Sequence, residues 1–314
     1  MSLLPVEPAH LLAQRAEERR WLITGLWSEE AVGIVGGEPK CCKSFLALDM
    51  AVSVAAGTPC LRRFPVTHAG RVLLYAAEDA LHVVRRRLEG ICAAAAVSLT
   101  ELDVQVITAP TVRLDLEADR ASLDETVAAL RPRLLVLDPF VRLHRIDENA
   151  SGEVAPLLAY LRELQRRYGI AVALVHHAKK GGGRARAGQA LRGSSEFHAW
   201  GDSNLYLRWQ GDELSLAVEH RAAPPLPAVV LELAQRGDAL ALEVVERSRT
   251  TAPAATSVDE RITRALTGAN RPVSLSDLRA ACRVRTATLC ERLAALTAAG
   301  RLAKGDAGYH LADE

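Results

Sequence analysis

VGIVGGEPKCCKSFLALDM occupies residues 32–50. The apolar run Val32-Gly33-Ile34-Val35 meets two glycines and then the pair Lys43-Ser44, after which Phe45, Leu46, Leu48 and Met50 fall at helical spacing. Strand, glycine turn and helix in that order are what a phosphate-binding loop needs, because the helix start offers unpaired N–H groups and a positive dipole end to an anion. The spacing G-x-x-x-x-G-K-[ST] is met by Gly37, Lys43 and Ser44, but Cys42 stands where the second glycine is expected. Gly36 and Gly37 are expected to turn backbone N–H groups toward the anion. Lys43 would reach the β- and γ-phosphates of a nucleotide, and Ser44 would hold Mg²⁺. The residues expected to line that cofactor are Gly36, Gly37, Glu38, Pro39, Lys40, Cys41, Cys42, Lys43, Ser44 and Phe45. The position before the lysine is expected to carry helical φ, which cysteine adopts without strain. Lys43 and the helix end are expected to depress the thiol pKa there and make it oxidisable.

Bulk properties set the limits. The 314 residues leave room for one large domain and a small one. Net charge is +1, from 39 Lys and Arg against 38 Asp and Glu, so a nucleic-acid footprint must be local. Aromatic residues make up 4%, too few for rows of base-stacking rings. Cysteines 41, 42, 60, 92, 282 and 290 show no paired C-x-x-C spacing and read as buried thiols rather than a zinc site or disulfide frame. With no signal-peptide pattern and no membrane-length apolar run, a cytoplasmic protein is expected.

Along the chain, residues 1–20 read as an N-terminal extension. Apolar runs at 72–77, 104–107, 134–138 and 170–175 alternate with helical patterns at 81–91, 123–130 and 157–168. That alternation predicts an α/β fold with a mostly parallel sheet flanked by helices, spanning residues 21–247. From Leu205 onward, four short alternating segments predict an antiparallel extension. Residues 248–257, SRTTAPAATS, read as a linker. Residues 258–314 predict three helices and a hairpin, the pattern of a small winged helix-turn-helix domain.

Further candidate side chains sit where strands end. Asp138 closes the run LLVLD and would orient Mg²⁺ or its water. Glu78 closes the second strand and would polarise the attacking water, with Asp79 as the cap of the next helix; the alternative is that one of the two acids simply caps it. His176 and His177 end another strand, one to sense the γ-phosphate and one structural. The run AKKGGGRARAGQALRGSS then carries Lys179, Lys180, Arg184 and Arg186 as candidate DNA contacts, and Arg192 as a candidate arginine finger. In the tail, Arg283, Arg285 and Lys304 lie at recognition-helix and wing positions.

The order GGEPKCCKS, LLYAAED, LLVLDPF, LVHHAKKGGG and LRGSSEF resembles the RepA-like branch of RecA-type ATPases, which includes hexameric plasmid replicative helicases. DPFVRLHRIDENASGEVAPLL is similar to that family's segment after the magnesium aspartate. The resemblance covers about Trp21 to Val245. It implies ATP and Mg²⁺ as cofactors, Lys43 and Ser44 on phosphates and metal, Asp138 on the metal, Glu78 as catalytic base, His177 as γ-phosphate sensor and Arg87 packed on the adenine. It also implies a homo-oligomeric ring, with a hexamer as the model, and DNA as partner. The chain departs from the family at Cys42. It departs again in EFHAWGDSNLYL, which has no arginine before Arg208 where the helicases place one. The expectation is an oligomeric Mg-ATP-dependent ATPase acting on DNA, similar to replicative helicases of plasmids, phages or mobile elements. The alternative is an ATP-switched DNA-binding regulator without helicase activity.

Overall fold

The computed structural model describes residues 6–14, 20–177, 196–224, 226–236, 239–245, 258–267, 269, 272–282, 286–305 and 308–312. The chain divides into two compact units, Met1–Glu246 and Arg247–Glu314. The larger unit opens with helix α1 (Ala9–Gln14) and a hairpin of β1 (Trp21–Ile23) and β2 (Trp27–Ser28). Then come β3 (Val32–Gly37), α2 (Lys43–Ala56), β4 (Val72–Ala76), α3 (Leu81–Ala95), β5 (Val104–Val106), α4 (Glu117–Leu130) and β6 (Leu134–Asp138). They are followed by α5 (Ser151–Tyr168), β7 (Ala171–His177), α6 (Glu196–Trp200), β8 (Ser203–Gln210), β9 (Glu213–His220), β10 (Val229–Arg236) and β11 (Ala239–Val244).

One nine-stranded sheet, in the order β11-β10-β9-β8-β3-β7-β6-β4-β5, organises this unit. Strands β3, β7, β6, β4 and β5 run parallel, and the near-continuous apolar sequences of β3, β7, β6 and β4 reflect burial on both faces. On one face Leu46, Met50, Val84, Leu88 and Ile91 of α2 and α3 meet Val35, Leu74 and Val136. On the other, Leu123, Val127, Leu158 and Leu161 of α4 and α5 meet Ile34, Leu73 and Leu135. The antiparallel extension is joined through β8, which pairs parallel with β3 before pairing antiparallel with β9. The antiparallel extension predicted from the sequence is present as β8–β11, with β8 joining it to the parallel strands. The hairpin β1–β2 packs into the first core, where Leu22, Ile23, Leu26 and Trp27 are fully buried.

Helix ends show how local chemistry sets the boundaries. Gly57 ends α2 in the left-handed region, its N–H bonded to the Ser53 carbonyl. Helix α4 starts six residues before the apolar pattern because Glu117 and Asp119 complement its positive end. Helix α5 carries Pro156 in its second turn, where the sequence pattern placed the start at Leu157; buried Val154 anchors the extra turn.

The smaller unit contains α7 (Val258–Thr267), α8 (Leu275–Cys282), α9 (Thr286–Ala298) and a hairpin of β12 (Leu302–Gly305) and β13 (Gly308–Leu311). Ile262, Leu266, Leu278, Leu289, Leu293, Leu296 and Leu302 form its core. Ser274 caps α8 by accepting the Asp277 N–H at 3.2 Å. Arg292 is held by Asp259 through two contacts of 2.8 and 2.5 Å.

One buried charge ties the antiparallel extension to the nucleotide-side helix. Asp49 of α2 is completely buried and accepts the Leu61 N–H at 2.7 Å and the Arg62 guanidinium at 2.5 Å. The same Arg62 nitrogen donates to the Leu242 carbonyl of β11 at 2.5 Å. Burial pushes the Asp49 pKa up while Arg62 opposes the shift. Asp49→Ala would strand the guanidinium, so we expect a loss on the order of 3 kcal/mol in urea unfolding. A change under about 0.5 kcal/mol would show that the contact is incidental.

Candidate nucleotide site

The phosphate loop is built by three positive φ angles: Gly37 at 153°, Lys40 at 65° and Cys42 at 63°. Gly36 is not part of the turn, contrary to expectation. It lies within β3, in register with His176 on one side and Tyr206 on the other. Gly37 alone makes the exit, and a Cβ there would meet the Leu207 carbonyl oxygen at 2.3 Å and Cys41 Sγ at 2.5 Å. Glu38, Pro39 and Lys40 form the outward part of the loop, and the Lys40 carbonyl accepts the Trp209 indole N–H at 3.4 Å.

Cys42 corrects the expected geometry. It is the residue before α2, at φ 63° and ψ 24°, and not helical. A side chain in this region costs about 1–2 kcal/mol, so the missing glycine is a real strain on the loop. The expected thiolate is also overturned. Burial raises the Cys42 pKa despite the opposing charges of Lys43 and Arg87, and pushes Cys41 up to about 11. Of the other cysteines, 60, 92 and 282 are buried as expected and Cys290 is exposed.

Lys43 opens α2 and is 5% exposed. Its ammonium donates to the Glu38 carbonyl at 2.7 Å and lies 3.9 Å from Cys41 Sγ. Burial lowers its pKa, opposed by the nearby thiols and Asp138. The Ser44 hydroxyl donates to Asp138 at the end of β6. Asp138 is buried, and desolvation raises its pKa to about 6; the Ser44 bond and the charges of Arg87 and Lys43 limit the rise. A buried carboxylate facing a hydroxyl is a hard-oxygen donor pair that suits Mg²⁺, which completes its shell from phosphate and water. Among the described residues no three His, Cys, Asp or Glu side chains are grouped to hold a metal by themselves.

Strand β4 lies beside β6, with Ala76 in register with Asp138. Glu78, just beyond, accepts Arg142 Nη2 at 3.1 Å. Asp79 does not cap α3, as it was expected to. The cap is Ala80, with no side-chain bond, and Asp79 is drawn instead to the Arg87 guanidinium. Arg87 also lies 5.2 Å over the Phe45 ring, which brings the adenine candidate beside the start of α2.

The two histidines separate in role as alternation along a strand requires. His176 is buried, stacked on Phe197 at 4.2 Å and edge-on to Phe140 at 6.0 Å. His177 is half-buried. Its pKa is lowered by burial and by Lys43, with Glu78 and Glu148 opposing, so the ring is neutral at pH 7.

Lys43, Ser44, Asp138, Glu78 and His177 therefore gather at the carboxyl ends of the adjacent strands β3, β7, β6 and β4, with Arg87 and Phe45 alongside. Lys304 belongs to the smaller unit, where its ammonium lies 5.9 Å from the Tyr309 ring. Lys179, Lys180, Arg184, Arg186, Arg192, Arg283 and Arg285 lie outside the described residues. Sequence reasoning assigned nothing to Arg142 or to His144. The latter is buried against Phe140 with Nε2 3.4 Å from Glu148. Both fall in the segment directly after Asp138, and that position was the available signal.

Two outcomes follow from this geometry. With a folded pKa near 6 against the ordinary 3.8, Asp138 binds its proton more tightly in the folded chain. Its contribution to the stability of the ligand-free protein is fully present below pH 3.8 and is lost as pH rises through 6. Mg²⁺ needs the carboxylate, so metal-dependent nucleotide affinity measured by calorimetry should rise between pH 5 and 7, and Asp138→Asn should abolish that rise. Cys42→Gly relieves the left-handed strain but loosens the unfolded chain, for a net gain of up to about 1 kcal/mol. A loss of stability in urea would contradict the loop geometry.

A family model described as an AAA domain matches residues 2–183, more than half of the chain, and spans the phosphate loop, Glu78, Asp138 and both histidines. With the parallel sheet and the loop-helix geometry already in place, the chain belongs to this AAA domain family of RecA-like P-loop ATPases.

Proposed function

We propose that the protein is an oligomeric Mg-ATP-dependent ATPase that acts on DNA, in the manner of a replicative helicase of a plasmid, phage or mobile element. The observation that carries the ATPase part is the convergence of buried Lys43 with the Ser44–Asp138 pair at the edge where Glu78 and His177 end their segments. Lys43 would leave the Glu38 carbonyl for a phosphate oxygen. Ser44 and deprotonated Asp138 would hold Mg²⁺, which neutralises phosphate charge when bound. Glu78 would orient the attacking water, and His177, neutral at pH 7, would donate a hydrogen bond to the γ-phosphate end. Arg87 would lie against the base.

The DNA part rests on composition and on the smaller unit. Residues 179–192 hold five cations without an acid. The unit of three helices and a hairpin reads as a winged helix, with exposed Arg279, Arg301 and Lys304 as its phosphate contacts. Arg192 would reach the γ-phosphate of a neighbouring subunit in a ring. A second reading, an ATP-switched DNA-binding regulator, is favoured by one observation: Glu196–Leu207, which forms α6 and the first part of β8, contains no arginine to serve a neighbouring site.

ATP turnover with and without single-stranded DNA, with oligomeric state measured alongside, separates the two readings. Stimulation by DNA and duplex unwinding are expected of the first, and turnover indifferent to DNA would leave the second. Lys43→Ala should reduce kcat by about 10²–10³-fold, and wild-type turnover would remove the phosphate-loop assignment. Deleting residues 257–314 should weaken duplex binding and spare basal turnover. Unchanged duplex affinity would make the tail a protein-contact module.

A further inference from the structure

The site holds one ion pair that the mechanism above leaves unused. Oε1 of Glu78 accepts Nη2 of Arg142 at 3.1 Å. Arg142 ends the short turn Phe140–Arg142, which starts two residues after Asp138. That turn is firmly seated. Phe140 is fully buried, 5.3 Å from the Phe197 ring and 4.3 Å from the His144 ring. The Arg142 N–H donates to the Pro139 carbonyl at 3.1 Å, and the Leu143 carbonyl accepts the Leu114 N–H at 2.6 Å. The guanidinium therefore springs from a base fixed to the same strand that carries the metal-binding aspartate.

Both side chains are about half exposed, at 57% and 51%. A pair of this kind is worth at most about 1 kcal/mol, too little to support the fold but enough to bias one side chain's orientation by about fivefold. Only one carboxylate oxygen is engaged among the described residues. The other is left to accept a proton from water. Glu78 follows β4 at the same sheet edge as His177, whose ring feels the carboxylate's charge. A base oriented by a third group through its second polar atom is the general form of an activated nucleophile's support.

We infer that Arg142 is a positioning residue for Glu78, holding Oε1 so that Oε2 faces the attacking water. The inference rests on Glu78 acting as the base of the proposed ATPase. The test compares R142A, R142K, E78Q and the double variant R142A/E78Q of the full chain in steady-state ATP turnover. Binding of a fluorescent ATP analogue and thermal midpoint are measured on each. R142A should lower kcat about fivefold with KM, analogue affinity and midpoint unchanged, and R142K should recover most of kcat. In the E78Q background, R142A should have no further effect. The inference is overturned if R142A turns over at the wild-type rate or faster, or if its loss persists undiminished beside E78Q. An inactive wild-type chain, or E78Q at full rate, would instead sink the ATPase reading or its base, and the inference with it.

Discussion

Desolvation of opposite charges at one sheet edge is the constraint on which the site depends. Lys43 and Asp138 are both nearly buried, and each is pushed toward its neutral form by loss of water. Among the described residues neither makes an ion pair. Lys43 rests on a backbone carbonyl and Asp138 on the Ser44 hydroxyl. Buried groups satisfied only by weak neutral partners form a site already shaped for stronger ones, and a metal–triphosphate complex supplies both charges at once. The same burial that makes the ligand-free arrangement costly makes each contact to the ligand stronger than it would be in water.

The sheet delivers those groups together because the strands that carry them are neighbours. The order β3-β7-β6-β4 brings Gly37 level with His177, and Ala76 level with Asp138. Parallel pairing gives every strand the same exit edge, so residues far apart in sequence emerge side by side. Helix α2 then starts at that edge and runs back under the sheet, where Asp49 and Arg62 tie it to β11. The loop is thereby held between a fixed strand end and a fixed helix, and this is what allows a cysteine to persist at φ 63°.

The strands and the phosphate loop were legible because each is a contiguous pattern: an apolar run, a glycine turn, a closing acid. What was not legible depended on geometry that no local pattern encodes. Gly36 and Gly37 look equivalent in sequence and both pair within β3, but only Gly37, the last residue of the strand, turns the chain out at positive φ. The φ of Cys42 is set by the path the chain must take from Gly37 to α2, and a residue type cannot report a path. Asp79 reads as a cap by position, yet Arg87, two turns along the same helix, is the stronger partner once the helix has formed. Thiol pKa values failed for a related reason: the nearby charge was visible in sequence, and the burial that outweighs it was not.

The smaller unit shows why counting charges overstates a binding surface. Arg279, Arg292, Arg301 and Lys304 all contribute to the basic excess of residues 258–314. Arg292, on α9, is taken by Asp259 across the helix interface, through two contacts that hold both side chains in one geometry. A guanidinium so engaged must surrender that pair before it can meet a phosphate, which cancels much of what the phosphate contact would add. Among the described residues, the exposed cations with no such ion pair are Arg264 on α7, Arg279 on α8, and Arg301 and Lys304 on the hairpin side. The charge available to the proposed phosphate contacts is the charge left over after the fold has used its share, and Arg292 in the middle of α9 is not part of it.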